Sequence, residues 1–288
     1  MSGEKAFITE CPRDAMQGLH DFIPTELKIS YLNELLKVGF DRLDFGSFVS
    51  PKAIPQMRDT AEVLGGLDLS GPTELLAIVA NTRGAEEASR FSAIRYLGFP
   101  FSVSETFQRR NTNAGIADSF TTVQSILETA SVNNKQLLVY ISMAFGNPYG
   151  DQWDSSVVSE WIAKLRDAGV SRFALADTVG IARSEDVAYM VDSVLSTFPD
   201  MEIGVHLHCR PNNWKSKVEA AWDSGCRRFD TAIKGFGGCP MAGDALTGNL
   251  ATENLVSFLQ EKGAISSIKT EPFMEAMRKS SDVFMEYH

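Results

Sequence analysis

The chain is poor in cysteine, and its cysteines lack the spacing of a metal or redox site. Its 288 residues include four cysteines, none separated from another by the two residues typical of structural zinc sites and thiol redox pairs: Cys11, Cys209, Cys226 and Cys239. We therefore expect reduced thiols and no cysteine-built zinc site.

Long apolar runs and an excess of positive charge are also missing. No stretch approaches the roughly 18 consecutive apolar residues of a membrane span. The N-terminal MSGEKAFITE lacks the apolar segment of a secretory signal. A formal net charge of -10 argues against nucleic acid or an anionic membrane as partner. We therefore expect a cytoplasmic protein that acts on a small molecule.

Short apolar runs alternate with helical patterns along the whole chain. The segment Thr25–Val38 has leucines at helical spacing and ends at Gly39, and Ser156–Ala168 and Asn213–Ser224 also precede a glycine. Strand plus helix, repeated, is typical of parallel α/β folds. Eight runs are predicted to be strands: Ala6–Thr9, Arg42–Phe45, Leu75–Ala80, Ile94–Phe99, Leu137–Met143, Arg172–Ala176, Glu202–His206 and Arg228–Ala232.

Eight strand-helix units favour a closed (β/α)8 barrel, a TIM barrel, over a doubly wound open sheet. The open sheet would carry a phosphate-binding glycine motif after its first strand, where Cys11-Pro-Arg-Asp stands instead. No linker composition divides the chain, so we predict one domain, residues 1–288. The segment Ser102–Ala117 lacks clear periodicity and is predicted to be a long loop.

Polar residues cluster just after these runs, at the strand ends where barrel active sites form. His206 and His208 are two apart at the end of a predicted strand, so both rings lie on one face. This spacing suits metal ligands, although two core histidines would give the same pattern. Asp14, after the first strand, is a candidate oxygen ligand.

Several other polar residues allow two interpretations. Arg13 either stabilises an enolate or carboxylate beside Asp14, or forms a salt bridge with Asp44, and the two are compatible. Cys239, in the pliable glycine-rich run 235–240, either takes part in proton transfer or is an inert thiol. Asp177-Thr178 is interpreted as a helix N-cap in preference to a site element.

Seven motifs together resemble the 3-hydroxy-3-methylglutaryl-CoA lyases, within a wider superfamily of metal-dependent barrel aldolases and Claisen enzymes. The similarity runs from about residue 7 to 260. The motifs are CPRDAMQ (11–17), SFVSPKAIPQM (47–57), SETFQRRNTN (104–113), DTVG (177–180), HLH (206–208), GFGGCP (235–240) and TGNLATE (247–253).

This resemblance implies a set of site residues and a cofactor. Asp14, His206, His208 and Asn249 would bind a divalent metal, Mg²⁺ or Mn²⁺, with Arg13 beside the reacting carbonyl and Cys239 as the thiol of the catalytic loop. It also implies an acyl-CoA substrate, a homodimer and a place in leucine degradation. The positions that shape the substrate pocket or its support are matched by Gln17, Asp44, Ser47, Asp177, Thr178 and Glu253.

The chain departs from the family pattern around the expected pocket. Asp44 stands where these lyases generally have Glu, Ala174 replaces a small polar residue, and 209–212 read Cys-Arg-Pro-Asn in place of Asp-Thr-Tyr-Gly. The expected reaction is cleavage of (S)-3-hydroxy-3-methylglutaryl-CoA. A related 3-hydroxyacyl-CoA lyase, a 2-isopropylmalate or citramalate synthase-like enzyme, and a non-catalytic binding barrel are the alternatives.

Overall fold

A computed structural model describes residues 4–238, 247–264 and 266–287. Within these ranges, eight parallel strands form one sheet that closes on itself, since β8 pairs with β1 and β6 with β7. The predicted barrel is confirmed. Its strands are β1 (Phe7–Glu10), β2 (Arg42–Ser47), β3 (Glu74–Ile78), β4 (Ile94–Ser102), β5 (Gln136–Ser142), β6 (Arg172–Asp177), β7 (Glu202–Cys209) and β8 (Arg228–Thr231).

A short ninth strand, β9 (Gly248–Asn249), runs antiparallel to the end of β7. It pairs His208 with Asn249 in direct register. The contact brings a segment far along the chain to the carboxyl end of the barrel strands.

Helices surround the barrel, and three of them end at the glycines that the sequence pattern indicated. Gly39, Gly169 and Gly225 have φ of 94°, 113° and 96°, the left-handed conformation that stops a helix. No helix in the described ranges is both long and apolar enough to cross a lipid bilayer. The helices are α1 (Pro12–Gln17), α2 (Thr25–Val38), α3 (Thr60–Gly65), α4 (Thr82–Ser89), α5 (Glu105–Thr112), α6 (Ile116–Val132), α7 (Ser155–Asp167), α8 (Ser184–Thr197), α9 (Trp214–Asp223), α10 (Thr252–Glu261) and α11 (Thr270–Phe284), with 3₁₀ turns at Pro55–Met57 and Ile233–Gly235.

Alternating strand residues build two apolar clusters. The larger one fills the layer between strands and helices. The smaller one, inside the barrel, comprises Leu76, Ile78, Tyr96, Leu138, Tyr140 and Ala174. This packed interior lies next to the side chains at the carboxyl ends of the strands and supports them.

The prediction of a long loop over Ser102–Ala117 is wrong, because α5 lies within it. The helix has few apolar residues and so shows no periodicity, but its ends are fixed locally. The Ser104 hydroxyl accepts from the Phe107 N–H at 3.1 Å, and Asn113, with φ of 56°, ends it. Asp151 accepts hydrogen bonds from the Ser104 hydroxyl and the Thr106 N–H, which ties this helix to the loop after β5.

Candidate active site

Asp14, His206 and His208 converge at the carboxyl ends of β1 and β7. One donor atom from each lies within 4.8 Å of the others. The two Nε2 atoms of the histidines are 3.3 Å apart, because residues two apart on a strand share a face. The predicted convergence of these three residues is confirmed.

Asn249 completes the group through β9. Its side-chain NH₂ donates to Asp14 Oδ2 at 2.8 Å and to the carbonyl of Phe236 at 2.9 Å. Both amide hydrogens are used, so the amide oxygen is the atom left to act as a ligand. The residue that only the family resemblance indicated therefore lies against Asp14.

The protonation states of Asp14 and His208 suit a divalent cation. Burial opposes ionisation of Asp14, but the charge of Arg13, the neighbouring histidines and the hydrogen bond from Asn249 outweigh it and lower its pKa to about 2. Burial and the neighbouring His206 lower the pKa of His208 to about 4. A carboxylate, neutral imidazole and an amide oxygen are together a donor set for Mg²⁺ or Mn²⁺, so the residues fit the expected ion.

Asp230 holds His206 from behind. Its Oδ2 lies 3.2 Å from Nδ1 of His206, and the two residues are register partners on β8 and β7. Burial works against the charged ring, but the hydrogen bond to Asp230 and the charge of Asp14 raise the pKa of His206. A carboxylate on the distal nitrogen fixes the ring and makes the facing nitrogen more basic.

Arg13 forms the predicted salt bridge with Asp44 and also faces Asp14. Its Nε lies 3.0 Å from Asp44 Oδ2, while Nη1 donates to Asp14 Oδ1 at 3.2 Å and to Gln17 Oε1 at 2.8 Å. Burial raises the pKa of Asp44 to about 6, although the Arg13 charge opposes this. The guanidinium is thereby fixed beside the candidate metal ligands.

Ser47 presents a hydroxyl without a partner at the end of β2. Its side chain is buried, and Oγ has no hydrogen bond within the described residues. A buried hydroxyl usually has a hydrogen-bond partner, so this one is an exception at the end of β2.

Asp177 and Thr178 do not cap a helix, so that interpretation is wrong. The next helix, α8, begins at Ser184 after Arg183. Asp177 Oδ2 instead accepts from Lys217 Nζ at 2.6 Å, and Thr178 Oγ1 accepts from the Met143 N–H at 2.9 Å. A buried charge needs a partner inside the fold, and Lys217 provides it.

Lys217 links this pair to the candidate ligands. Its ammonium also donates to the carbonyl of His208 at 2.8 Å, and the side chain is 1% exposed. Sequence reasoning missed Lys217, because a lysine on an amphipathic helix is normally solvated. It missed Asp230 as well. Asp230 lies on the predicted strand that follows the strand of His206, and the expected pairing of these two strands could have indicated it.

The described part of the glycine-rich run, residues 235–238, packs closely against the site. Gly237 has φ of 94°, and a Cβ there would lie 2.8 Å from both Asn249 Nδ2 and Ala15 Cα, so only glycine fits. Glu253 Oε2 accepts from the Lys234 N–H at 3.0 Å, which places it at the start of this run. Cys239 and Pro240 lie outside the described residues.

The residues that depart from the family pattern are also placed. Ala174 packs in the barrel interior, and Cys209 is buried directly after His208. Burial raises the pKa of the Cys209 thiol to about 12, so it stays protonated. Neither residue removes a member of the group at the strand ends.

Comparison with known proteins gives one consistent result. The family model described as HMGL-like matches residues 6–279. The Bacillus subtilis hydroxymethylglutaryl-CoA lyase YngG is 32% identical over 271 residues, which cover 93% of this chain and 89% of that protein.

Solved structures agree. An HMG-CoA lyase from Acinetobacter baumannii, solved with coenzyme A and 3-methylmalate, superposes with a TM-score of 0.89 at 32% identity, covering 96% of this chain and 90% of that one. The HMG-CoA lyase of Brucella melitensis gives 0.91 at 28% identity, covering 97% and 99%.

Proposed function

This chain belongs to the HMGL-like family, and from that premise we propose that it is a hydroxymethylglutaryl-CoA lyase. It would cleave 3-hydroxy-3-methylglutaryl-CoA to acetyl-CoA and acetoacetate. The observation that carries the proposal is the convergence of Asp14, His206, His208 and Asn249 beside the buried Arg13. Relatives of that name cover most of the chain.

The cofactor in this proposal is a divalent metal, Mg²⁺ or Mn²⁺. Asp14, His206, His208 and the amide oxygen of Asn249 would hold it, and this ligand set is part of the proposal. When bound there, such an ion lowers the pKa of a hydroxyl that contacts it and polarises a neighbouring carbonyl.

The first task of the protein residues is to accept the proton of the C3 hydroxyl. His206 and Asp14 are the candidate bases. Both also belong to the proposed ligand group, and both remain candidates for this step, Asp14 through its carboxylate and His206 through its imidazole, which Asp230 orients at Nδ1.

The second task is to stabilise the charge that follows bond cleavage. When the C2–C3 bond breaks, C3 becomes the ketone of acetoacetate and the electron pair forms the enolate of acetyl-CoA. The guanidinium of Arg13, fixed by Asp44 and Gln17, would donate to the enolate oxygen. A proton then returns to C2, from Cys239 or from a water that it orders.

The acyl-CoA substrate class has independent support. The Acinetobacter baumannii relative was solved with coenzyme A. In this chain, Ser47 matches a position that shapes the substrate pocket or its support in the family, and its buried hydroxyl has no partner within the described residues.

A cleavage assay tests the proposal. Purified protein with Mg²⁺ or Mn²⁺ should release acetoacetate and acetyl-CoA from 3-hydroxy-3-methylglutaryl-CoA, and excess chelator should stop the reaction. Cys239→Ser should slow turnover and leave metal affinity unchanged. If neither metal supports release of acetoacetate but another 3-hydroxyacyl-CoA is cleaved, the substrate is wrong and the lyase class stands.

A further inference from the structure

Glu10 is a buried acid that the proposed reaction does not use. It is the last residue of β1 and is 0% exposed. Its Oε1 accepts from the Ile233 N–H at 2.8 Å, and its Oε2 lies 2.6 Å from the Thr252 hydroxyl and 3.2 Å from the Thr231 hydroxyl. One carboxyl group thus connects β1, β8, the turn after β8 and the start of α10.

The turn that Glu10 holds leads directly into the glycine run. Ile233 begins the 3₁₀ turn Ile233–Gly235, and Lys234 within it has a φ of 58°, which is unfavourable for a side chain. The N–H of Lys234 donates a hydrogen bond to Oε2 of Glu253 at 3.0 Å. Two carboxyl groups therefore accept two consecutive peptide N–H groups at this turn.

Contacts continue from the turn to the candidate ligands. The carbonyl of Phe236, one residue after the turn, accepts from Asn249 Nδ2 at 2.9 Å, and the same amide group donates to Asp14. A shift of the turn would move the Phe236 carbonyl and with it the side chain of Asn249.

We propose that Glu10 is a positioning residue for the turn Ile233–Gly235, which it fixes through the Ile233 N–H and the two threonine hydroxyls, and through the Phe236 carbonyl for the candidate ligand Asn249. This inference rests on the proposed function. An apolar side chain would fill the same space without the cost of burying an acid, so packing alone does not account for a glutamate here.

The protonation state of Glu10 indicates which substitution preserves the role. Burial raises its pKa to about 8, against opposing hydrogen bonds from Thr252 and Ile233. The group is then mostly the neutral acid near pH 7, and a glutamine side chain has the same shape and an oxygen acceptor.

The experiment compares Glu10→Val, Glu10→Gln and Glu10→Asp with the wild type in the 288-residue chain. Asp59→Asn is the matched control, because Asp59 is a buried carboxylate paired with Lys28 at 2.7 Å between α2 and the segment before α3. The measurements are kcat and KM for 3-hydroxy-3-methylglutaryl-CoA, Mn²⁺ affinity, thermal stability, and hydrogen exchange of the 232–238 segment.

We expect Glu10→Val to lower kcat roughly 10- to 100-fold, since small displacements at a reacting centre have effects of that size. KM should change little, Mn²⁺ affinity should fall because Asn249 shifts with the turn, and exchange at 232–238 should accelerate while β7 stays protected. Glu10→Gln should recover most of the activity. If Glu10→Val does not fold, Glu10→Asp, whose shorter arm does not reach Ile233, should lower kcat where Glu10→Gln does not.

Two results would overturn the inference. One is a loss of kcat in the Glu10 variants no greater than in Asp59→Asn at similar stability. The other is a Glu10→Gln variant as impaired as Glu10→Val. If the wild type itself does not cleave the thioester, the proposed function fails, whereas accelerated exchange at 232–238 in Glu10→Val still reports the anchoring.

Discussion

The two ends of the barrel use similar charged residues in different ways. At the amino-terminal end, Glu202 lies 3.2 Å from Arg42, 3.2 Å from Arg172 and 3.3 Å from Arg228. Arg42 also stacks on Tyr96, with its guanidinium carbon 3.7 Å from the ring centre. These charges contact one another across the barrel strands and stabilise its closure.

At the carboxyl end, ion pairs surround a group that they do not neutralise. Arg13 pairs with Asp44 and Lys217 with Asp177, while Nε2 of His206 and His208 face each other beside Asp14. The pairs orient the donor atoms and leave them free to bind. The comparison indicates that one end of the barrel serves stability and the other serves chemistry, as in other barrel enzymes.

The largest effect on turnover is expected at Arg13. Arg13→Lys keeps the charge and can still pair with Asp44, but it loses the fork that reaches Asp14 and Gln17. We expect kcat to fall by about 10²- to 10³-fold, the usual effect of removing a donor to developing negative charge. Steady-state kinetics with a parallel Mn²⁺ titration would show this. An activity within threefold of wild type would contradict a role of Arg13 in stabilising the developing charge.

Asp230→Asn tests whether the candidate ligand His206 depends on its hydrogen bond to Asp230. The amide is the same size but is a poorer acceptor for the Nδ1 hydrogen of His206. Metal affinity or turnover should fall by roughly 10- to 100-fold. Calorimetry with Mn²⁺ and the cleavage assay measure the two quantities, and a variant unchanged in both would show that this hydrogen bond has only a packing role.

Glu10 gives the carboxyl end a pH-dependent stability. Burial raises its pKa from 4.5 to about 8, so between these values the folded state holds a proton that the unfolded chain releases. The free energy of unfolding should therefore fall as pH rises through this window, by about 1 kcal/mol per pH unit from this group. Urea unfolding of wild type and Glu10→Gln between pH 5 and 8 isolates the contribution of Glu10 to this pH dependence. If the free energy of unfolding changed equally with pH in both proteins, the prediction would be contradicted.

Glu202→Gln should have the smallest effect on turnover. It removes the shared partner of three arginines, and we expect a loss of about 1–3 kcal/mol in the free energy of unfolding. Turnover of the folded protein should stay within about twofold of wild type, since this end is remote from the chemistry. A large fall in kcat at unchanged stability would mean that the two ends are coupled.

The sequence predicted the barrel well, because its signals are local. Apolar runs and the glycines Gly39, Gly169 and Gly225 mark strands and helix ends directly. The helix α5 was missed, since its ends are fixed by Ser104 and Asn113 and not by an apolar stripe.

The candidate site was only partly predictable. The convergence of His206 and His208 follows from strand geometry. The Arg13–Asp44 salt bridge was predicted because both residues lie near the carboxyl end of the barrel, whereas Asn249 came only from the family resemblance. Asp230, Lys217 and Glu10 form contacts between distant segments, and a single sequence does not report such contacts. Their burial is visible only after the barrel has closed.

The most direct test of the account is a Mn²⁺ titration by calorimetry of the wild type, His208→Ala and Glu202→Gln. We predict about one ion per chain for the wild type and for Glu202→Gln, and at least about a 100-fold loss of affinity for His208→Ala. No binding to the wild type, or full affinity in His208→Ala, would contradict the assignment of the metal site to the carboxyl end of the barrel.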